Sequence, residues 1–500
     1  MYGVLEMKPM NTIPWGGDRQ EATSDAAKLK TWGYWQNRIN RASLVMLHEE
    51  KIVTDAEAKT IAAAQVTAEA KQKEMPPIED IMPLEKLLIA SCGQLATLIH
   101  TGRSRQDIFA TLNQARLRES VLDFFENLNL FRSRLLKIAK ENTETWMPAY
   151  TNGVQAMPIT LGYYLSAFLE SFERDADRTK EMWERVNCSA LGSGVLANSS
   201  WPLNRERLAE LLGFDKPIKN GLDSSQVSLF DIPLEAASVA GNTAIRITTL
   251  MQDIAQQYSQ TRPWLLLDSG AAYASSAMPQ KRNPGIIQKT RAKASDVVGE
   301  MQTSFIRAHN LNLGMYDNKE SVSEDNTRIF VDAVHMLKLA EWAFAMLRVH
   351  PERALEELEN DWTTTMALAE VLQHRFHVPF RVGHNFSSDM VTVARKNGWI
   401  PKNFPYEKAK EIYREVLKRL EGKEEELPLS EADLRESLSA PFVVRTRVGA
   451  GGPAPEAVSK VLEDQEKRLA ADKAWLDAKR NQQEEAEKTL DRCFEALNQL

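Results

Sequence analysis

The stretch AYASSAMPQKRNPG, Ala272–Gly285, gathers two adjacent hydroxyls (Ser275, Ser276), two cations (Lys281, Arg282) and an amide (Asn283). Pro279 and Pro284 each remove a backbone donor and restrict the residue before them. The run therefore reads as a loop held at two points. A lysine and an asparagine at fixed spacing suit a carboxylate ligand, although an ordinary solvent loop has the same composition. Two further polar stretches interrupt helical patterns. HTGRSRQD, His100–Asp107, places two arginines and two hydroxyls at a helix start. Ser104 is a plausible N-cap there, and the free amides of a helix N-terminus attract anions. YTNGVQAMPIT, Tyr150–Thr160, is a polar turn before a long helix. Each alone is a cap or a turn. Together, three anion-friendly loops at helix ends point to one carboxylate-bearing ligand.

The elements that must position these loops are almost entirely helical. Residues 24–73 are rich in Ala, Lys and Glu, and Pro76-Pro77 ends that region. Residues 84–98, 107–140 and 159–186 have apolar positions every three to four residues. From Pro233, the small residues Ala236, Ala237, Ala240, Gly241 and Ala244 permit close helix packing. Arg328–Val349 is another strong helix. No series of alternating strands and no fixed repeat appears. The expected fold is all-α, a long central helix bundle in a three-domain subunit divided at 1–105, 106–352 and 353–500. Near the C-terminus, Leu462, Leu469, Leu476, Leu490 and Leu497 share one seven-residue grid, interrupted at Gln483. That stripe serves either a coiled-coil partner or packing on the chain's own domain.

Bulk properties narrow the function classes. Five hundred residues exceed one core. A net charge of −7 argues against nucleic acid as the main partner. Cys92, Cys188 and Cys493 are far apart, with no disulfide or metal spacing, which fits a reducing compartment. His374 and His377 have no third ligand in register, so no metal is expected. The N-terminus lacks a basic stretch followed by an apolar core. No apolar run is read as long enough to span a bilayer. A cytoplasmic location, without membrane partners, is expected.

SSAMPQKRNP, Ser275–Pro284, resembles the signature of the aspartase/fumarase superfamily, GSSxMPxKxNP, with Ala274 in place of the glycine. HTGRSRQD resembles the HTGRSRND of argininosuccinate lyases. LGSGVL (Leu191–Leu196), NGLDS (Asn220–Ser224), VPFRVGH (Val378–His384) and GGPAPEAV (Gly451–Val458) are similar to that family in the same order. The resemblance implies a homotetramer with a central helix bundle and active sites shared between subunits. It also implies a reaction without a cofactor, in which a C–N or C–O bond of a succinyl-type substrate breaks and fumarate leaves. Ser275 would be the base that removes a proton beside a carboxylate. Lys281 and Asn283 would stabilise the doubly charged aci-carboxylate that forms. Ser104 and Arg105 match positions that hold substrate carboxylate, and Thr151 a hydroxyl at the fumarate end. Tyr316, in LGMYDNKES, resembles the tyrosine of TYNKDLQEDK. Asp80, Gln106 and Asn152 complete the expected binding set.

The departures lie on the amine side. Asn152 stands where the family has the histidine of YTH, and asparagine cannot titrate. EDIM replaces EDIH, with Met82 for a second histidine; Gln106 replaces asparagine; Ser321 and Glu324 replace glutamine and lysine. The fumarate half looks kept and the amine half rewritten. The expected function is cleavage, or formation, of an N-substituted aspartate other than argininosuccinate, for example an aminopolycarboxylate. A true argininosuccinate lyase and a non-catalytic structural relative are the alternatives.

Overall fold

The structure, a computed structural model, describes residues 30–77 and 80–500, and of residues 316–321 and 323–325 the backbone alone. Helices dominate, as expected. The N-terminal part holds α1 (Trp32–Glu49), α2 (Asp55–Gln72) and α3 (Ile81–Cys92). Then comes α4 (Arg105–Glu141), which has no Gly or Pro in 37 residues and so spans about 55 Å. A hairpin, β1 (Trp146–Thr151) and β2 (Val154–Thr160), leads into α5 (Leu161–Val186). After the short β3 (Cys188–Ser189), α6 (Arg205–Leu211) and β4 (Lys216–Pro217), the bundle continues with α7 (Ser228–Gln257).

The next segment carries β5 (Leu265–Leu267), β6 (Tyr273–Ala274) and β7 (Arg282–Asn283). It is followed by α8 (Gly285–Ala308), α9 (Tyr316–Ala345) and β8 (Leu347–Val349). The short helices α10 (Pro351–Glu359), α11 (Thr365–Phe376), α12 (Phe380–Asn397), α13 (Tyr406–Glu421), α14 (Glu431–Ser437) and α15 (Ala440–Arg445) precede the 43-residue α16 (Pro455–Leu497). The strands pair only two by two.

Side-chain pairs fix the helix directions. Phe124 meets Phe330, and Arg134 meets Glu341, so α4 and α9 run parallel. Phe131 meets Phe172, while Gln114 reaches Val186, so α5 runs back. Asp175 binds Thr243 and Arg246, and Arg185 binds Glu235, so α7 runs forward again. Gly241 of α7 faces Met301 of α8 at a crossing where a Cβ would come within 2.3 Å of the sulfur. The small-residue face is thus closed within one chain: Ala236, Ala237, Ala240 and Ala244 are fully buried. What α7 and α8 leave outside is Ile245, Phe305 and Ile306.

The grid of leucines on α16 packs on the chain's own domains. Leu462, Leu469 and Leu476 join the bundle core, and Leu490 and Leu497 join the N-terminal core. The grid breaks at Gln483 because α16 there crosses the tight turn at Gly213, whose Cβ would sit 3.6 Å from the Gln483 Cα. A buried charge network locks the strap: Arg132 donates to Asp472 at 2.6 Å, and Lys180 to its other oxygen at 2.6 Å.

One expectation is corrected. By length and composition alone, the 20-residue segment Ile81–His100 is long and apolar enough to cross a membrane; its most apolar stretch has mean hydropathy 1.2, and 17% of that stretch is buried. Gly93, at φ +69°, divides it into α3 and a 3₁₀ helix over Gly93–His100.

Candidate active site

The first cluster forms where α4 begins. Ser104 caps the helix: its hydroxyl accepts from the Gln106 amide at 3.2 Å, and its own amide donates to Asp107 at 2.8 Å. The other Asp107 oxygen accepts from the Gly192 and Gly194 amides at 2.9 and 3.1 Å. Those glycines have φ of +82° and +61°, open to glycine at little cost. Asp107 therefore ties LGSGVL to HTGRSRQD. Burial pushes its carboxyl up to about 6. Sequence reasoning missed this residue; the signal was a capping-box acid three positions after Ser104.

Ser104, Arg105, Gln106 and Asp80 share one cleft of about 560 Å³, whose wall includes Trp32, Ile81, Ile108, Phe109 and Val195. Arg105 donates to Asp80 at 2.7 Å. Asp80 also caps α3, accepting from the Ile81 amide at 2.6 Å. Gln106 donates to the Ser225 carbonyl at 2.8 Å, which couples the cleft to NGLDS and the start of α7. The other arginine of the motif turns inward. Arg103 is half-buried and donates to Ser43 at 2.9 Å. Burial and Arg103's charge hold His100 down at about 4, so it is neutral at pH 7.

The second cluster lies at the far end of the bundle. Tyr273 and Ala274 pair with Asn283 and Arg282, so the Ser275 loop stands on a two-stranded stem. Ser276–Lys281 are exposed and Ser275 is half-buried. The Ser275 hydroxyl oxygen accepts from the amides of Ala277 at 3.3 Å and Met278 at 3.1 Å. Two donors aimed at one oxygen favour its ionised form. Buried Asn283 donates to the Tyr273 carbonyl at 3.2 Å. Ala274 sits in the stem, outside the left-handed region, so glycine is not required there.

Thr151 and Asn152 form the exposed tip of the β1–β2 hairpin. Asn152 and Gly153 have φ of +53° and +76°, the pair of left-handed residues that a two-residue hairpin favours. Asn-Gly was a legible hairpin signal that the sequence reading took only as a polar turn. Below the tip, Tyr150 hydrogen-bonds Glu357, and the hairpin shares a cavity wall with Gln257 and Trp264. Met82 is 41% exposed in the first turn of α3. Tyr316 opens α9, next to Gly314, which lies against Gln226; its side chain, with those of Ser321 and Glu324, is outside the described residues.

The structure thus brings Asp80, Ser104, Arg105 and Gln106 together, and separates them from Thr151, Asn152, Ser275, Lys281 and Asn283. Gln106 touches Ser225 just before α7, while the hairpin meets Gln257 at its end. Thirty helical residues lie between, about 45 Å.

A lyase family model matches residues 38–299. Argininosuccinate lyase 1 of Shouchella clausii is 29% identical over 445 residues, covering 87% of each chain. The argininosuccinate lyase of Desulfitobacterium hafniense is 32% identical over 426 residues, covering 83% of this chain and 88% of the relative. Among solved structures, an EDDS lyase in complex with formate superposes with a TM-score of 0.85 at 25% identity over 96% of each chain. The chain belongs to this lyase family of the aspartase/fumarase superfamily, close to the argininosuccinate lyases, and is a carbon–nitrogen lyase.

Proposed function

We propose that the chain cleaves, or forms, the C–N bond of an N-substituted aspartate other than argininosuccinate, releasing or consuming fumarate. The observation that carries this reading is the pair of backbone amides on the Ser275 oxygen. A serine hydroxyl is a poor base until its alkoxide is stabilised. Fixed amide donors do that without reorganisation, and Lys281 on the same loop adds positive charge. Ser275 then takes the proton beside the substrate carboxylate. Asn283 and Lys281 hold the aci-carboxylate, and the C–N electron pair leaves with the amine. Thr151 binds the fumarate half, and Ser104 and Arg105 a carboxylate. The EDDS lyase likeness supports the substrate class.

The two residue sets stand about 45 Å apart along α7. We therefore read each site as completed by other copies of the chain, in a homotetramer. The outward-facing Ile245, Phe305 and Ile306 and the sparsely buried segment Ile81–His100 supply apolar surface for that assembly.

Ser275→Ala tests the chemistry. Fumarate formation should fall on the order of 100- to 10,000-fold while circular dichroism and oligomer size stay as in the wild type. Ser276→Ala should be much milder. A Ser275→Ala enzyme within a few-fold of wild type contradicts the assignment.

A second reading, a true argininosuccinate lyase, is favoured by the names of the curated relatives at 28–32% identity. Direct assay of argininosuccinate cleavage separates the two. Turnover in the ordinary enzyme range, about 1 to 1,000 per second, makes this second reading the correct one.

A further inference from the structure

One side chain from far along the chain grips both strands of the β1–β2 hairpin. Glu357 of α10 accepts from the Tyr150 hydroxyl on β1, and the same carboxylate oxygen accepts from the Gln155 side-chain amide on β2 at 2.6 Å. Tyr150 and Gln155 are cross-strand partners, and Thr151 and Val154 form the next pair toward the tip. A two-stranded hairpin alone is marginally stable. An oxygen bonded to both strands fixes their spacing one pair below Thr151. Successive side chains of a strand point to opposite faces. With Tyr150 turned to α10, Thr151 turns to the other face. Burial first, then the bond to Glu357 and its charge, push the Tyr150 phenol well above its usual range, so it stays a donor.

Helix α10 is itself a fixed reference. Ala354 and Leu358 are buried, and Glu357 is half-buried beside them. The His350 amide, just before the helix, donates to the Trp264 carbonyl at 2.8 Å. Arg353 donates to the Pro263 carbonyl at 3.1 Å, and Arg262 pairs with Glu356 at 2.9 Å. All these contacts lie within one chain. From this we infer that Glu357 is a positioning residue: it aims the Thr151 hydroxyl at the fumarate half of the substrate by holding Tyr150 and Gln155. This rests on the reading above in which Thr151 binds that half. A binding group is as precise as the side chains that lock it from behind.

Equilibrium dialysis of radiolabelled fumarate against the full-length enzyme tests this. Glu357→Ala should weaken fumarate binding about tenfold, whereas Glu357→Gln, which keeps an acceptor oxygen, should stay within about threefold of wild type. Thr151→Ala should also weaken it about tenfold. The double variant Glu357→Ala, Thr151→Ala should then be no more than about threefold worse than either single, because two residues acting through one contact are not additive. If Glu357→Ala does not fold by circular dichroism, Tyr150→Phe takes its place in the same cycle. Losses that multiply in the double variant overturn the positioning role, as does a Glu357→Ala enzyme that binds fumarate like wild type or a Glu357→Gln enzyme no better than Glu357→Ala. Each of these leaves the C–N reading standing. Unchanged binding in Thr151→Ala removes Thr151 from the fumarate subsite, and this inference with it. A wild type that binds no fumarate overturns the C–N reading itself.

Discussion

The two ends of the bundle hold their functional residues in different ways. At the Ser104 end, four groups sit in a cleft braced from several directions. Asp107 binds three backbone amides across two motifs, Gln106 ties in the turn before α7, and Arg103 turns inward to Ser43. At the other end, Ser275 and Thr151 ride on separate two-stranded stems whose tips are exposed. Groups that must only bind can be locked by buried hydrogen bonds. In the reading proposed above, the base Ser275 and the fumarate-binding Thr151 are presented on short hairpins with exposed tips, the kind of element that opens at low free-energy cost. The ends are also too far apart to serve one substrate within one chain.

The largest expected effect tests that separation. Ser275→Ala and Arg105→Ala should each be nearly inactive, since each empties one end. Co-expressed with different tags and purified as mixed oligomers, they should recover activity at least about tenfold above either parent, because some sites then draw both intact halves from different subunits. Confirmed mixed oligomers with no recovery would show that the ends do not meet across subunits.

Next is the contrast in what holds each region. Asp472→Ala removes the partner shared by Arg132 and Lys180 and leaves a guanidinium that is 1% exposed with Asn129 at 2.9 Å and a single carboxylate, Glu173, at 3.8 Å. Unpairing a buried charge costs about 3–5 kcal/mol, visible as a lower urea midpoint. Asp80→Asn, in an exposed pair at the Ser104 end, should cost under about 1 kcal/mol of stability. Comparable losses in the two variants would dissolve the distinction between a structural strap and a binding cleft.

Between the ends, pH should act on Glu300 of α8. Burial and the neighbouring Asp332 carboxylate hold its carboxyl up, to about 8. Lys293, Asp296 and Arg328 also face this cluster. Arg328 opposes the shift but is 75% exposed, so water screens its pull, whereas Asp332 is 12% exposed. A raised folded value means that the folded state holds the proton more tightly. Its stabilising contribution is complete below the usual carboxylate range and is lost as pH rises through about 8. The wild-type melting temperature should therefore fall between pH 5 and pH 8 more steeply than that of Glu300→Gln. Parallel curves would mean that Glu300 is ionised throughout.

The smallest effect belongs to the hairpin tip. Asn152→Ala places a Cβ-bearing residue without a locally bonding side chain at φ +53° and should cost roughly 1 kcal/mol. Asn152→His should not create argininosuccinate cleavage, since Met82, Gln106, Ser321 and Glu324 remain. Argininosuccinate turnover gained by that single change would make Asn152 the specificity switch, contrary to a rewritten amine pocket.

Much of this was readable before any coordinates. Helical periodicity announced the bundle, because a buried stripe must recur every three to four residues. SSAMPQKRNP and HTGRSRQD announced the chemistry, because few irregular runs place hydroxyl, cation and amide in that order. Other features required the packed chain. The leucine grid of α16 fitted a partner or its own domain equally well, since a stripe does not say what covers it. Likewise, the small face of α7 permitted close packing on any helix, and only the packed chain shows that Met301 of α8 covers Gly241. Arg103 and Arg105 are indistinguishable by type and two positions apart, yet one turns inward to Ser43 and the other faces the cleft. Side-chain direction at a helix start depends on what packs behind it, and that is set by residues distant in the chain. The separation of the two residue sets is likewise a matter of helix length and direction, which no motif encodes.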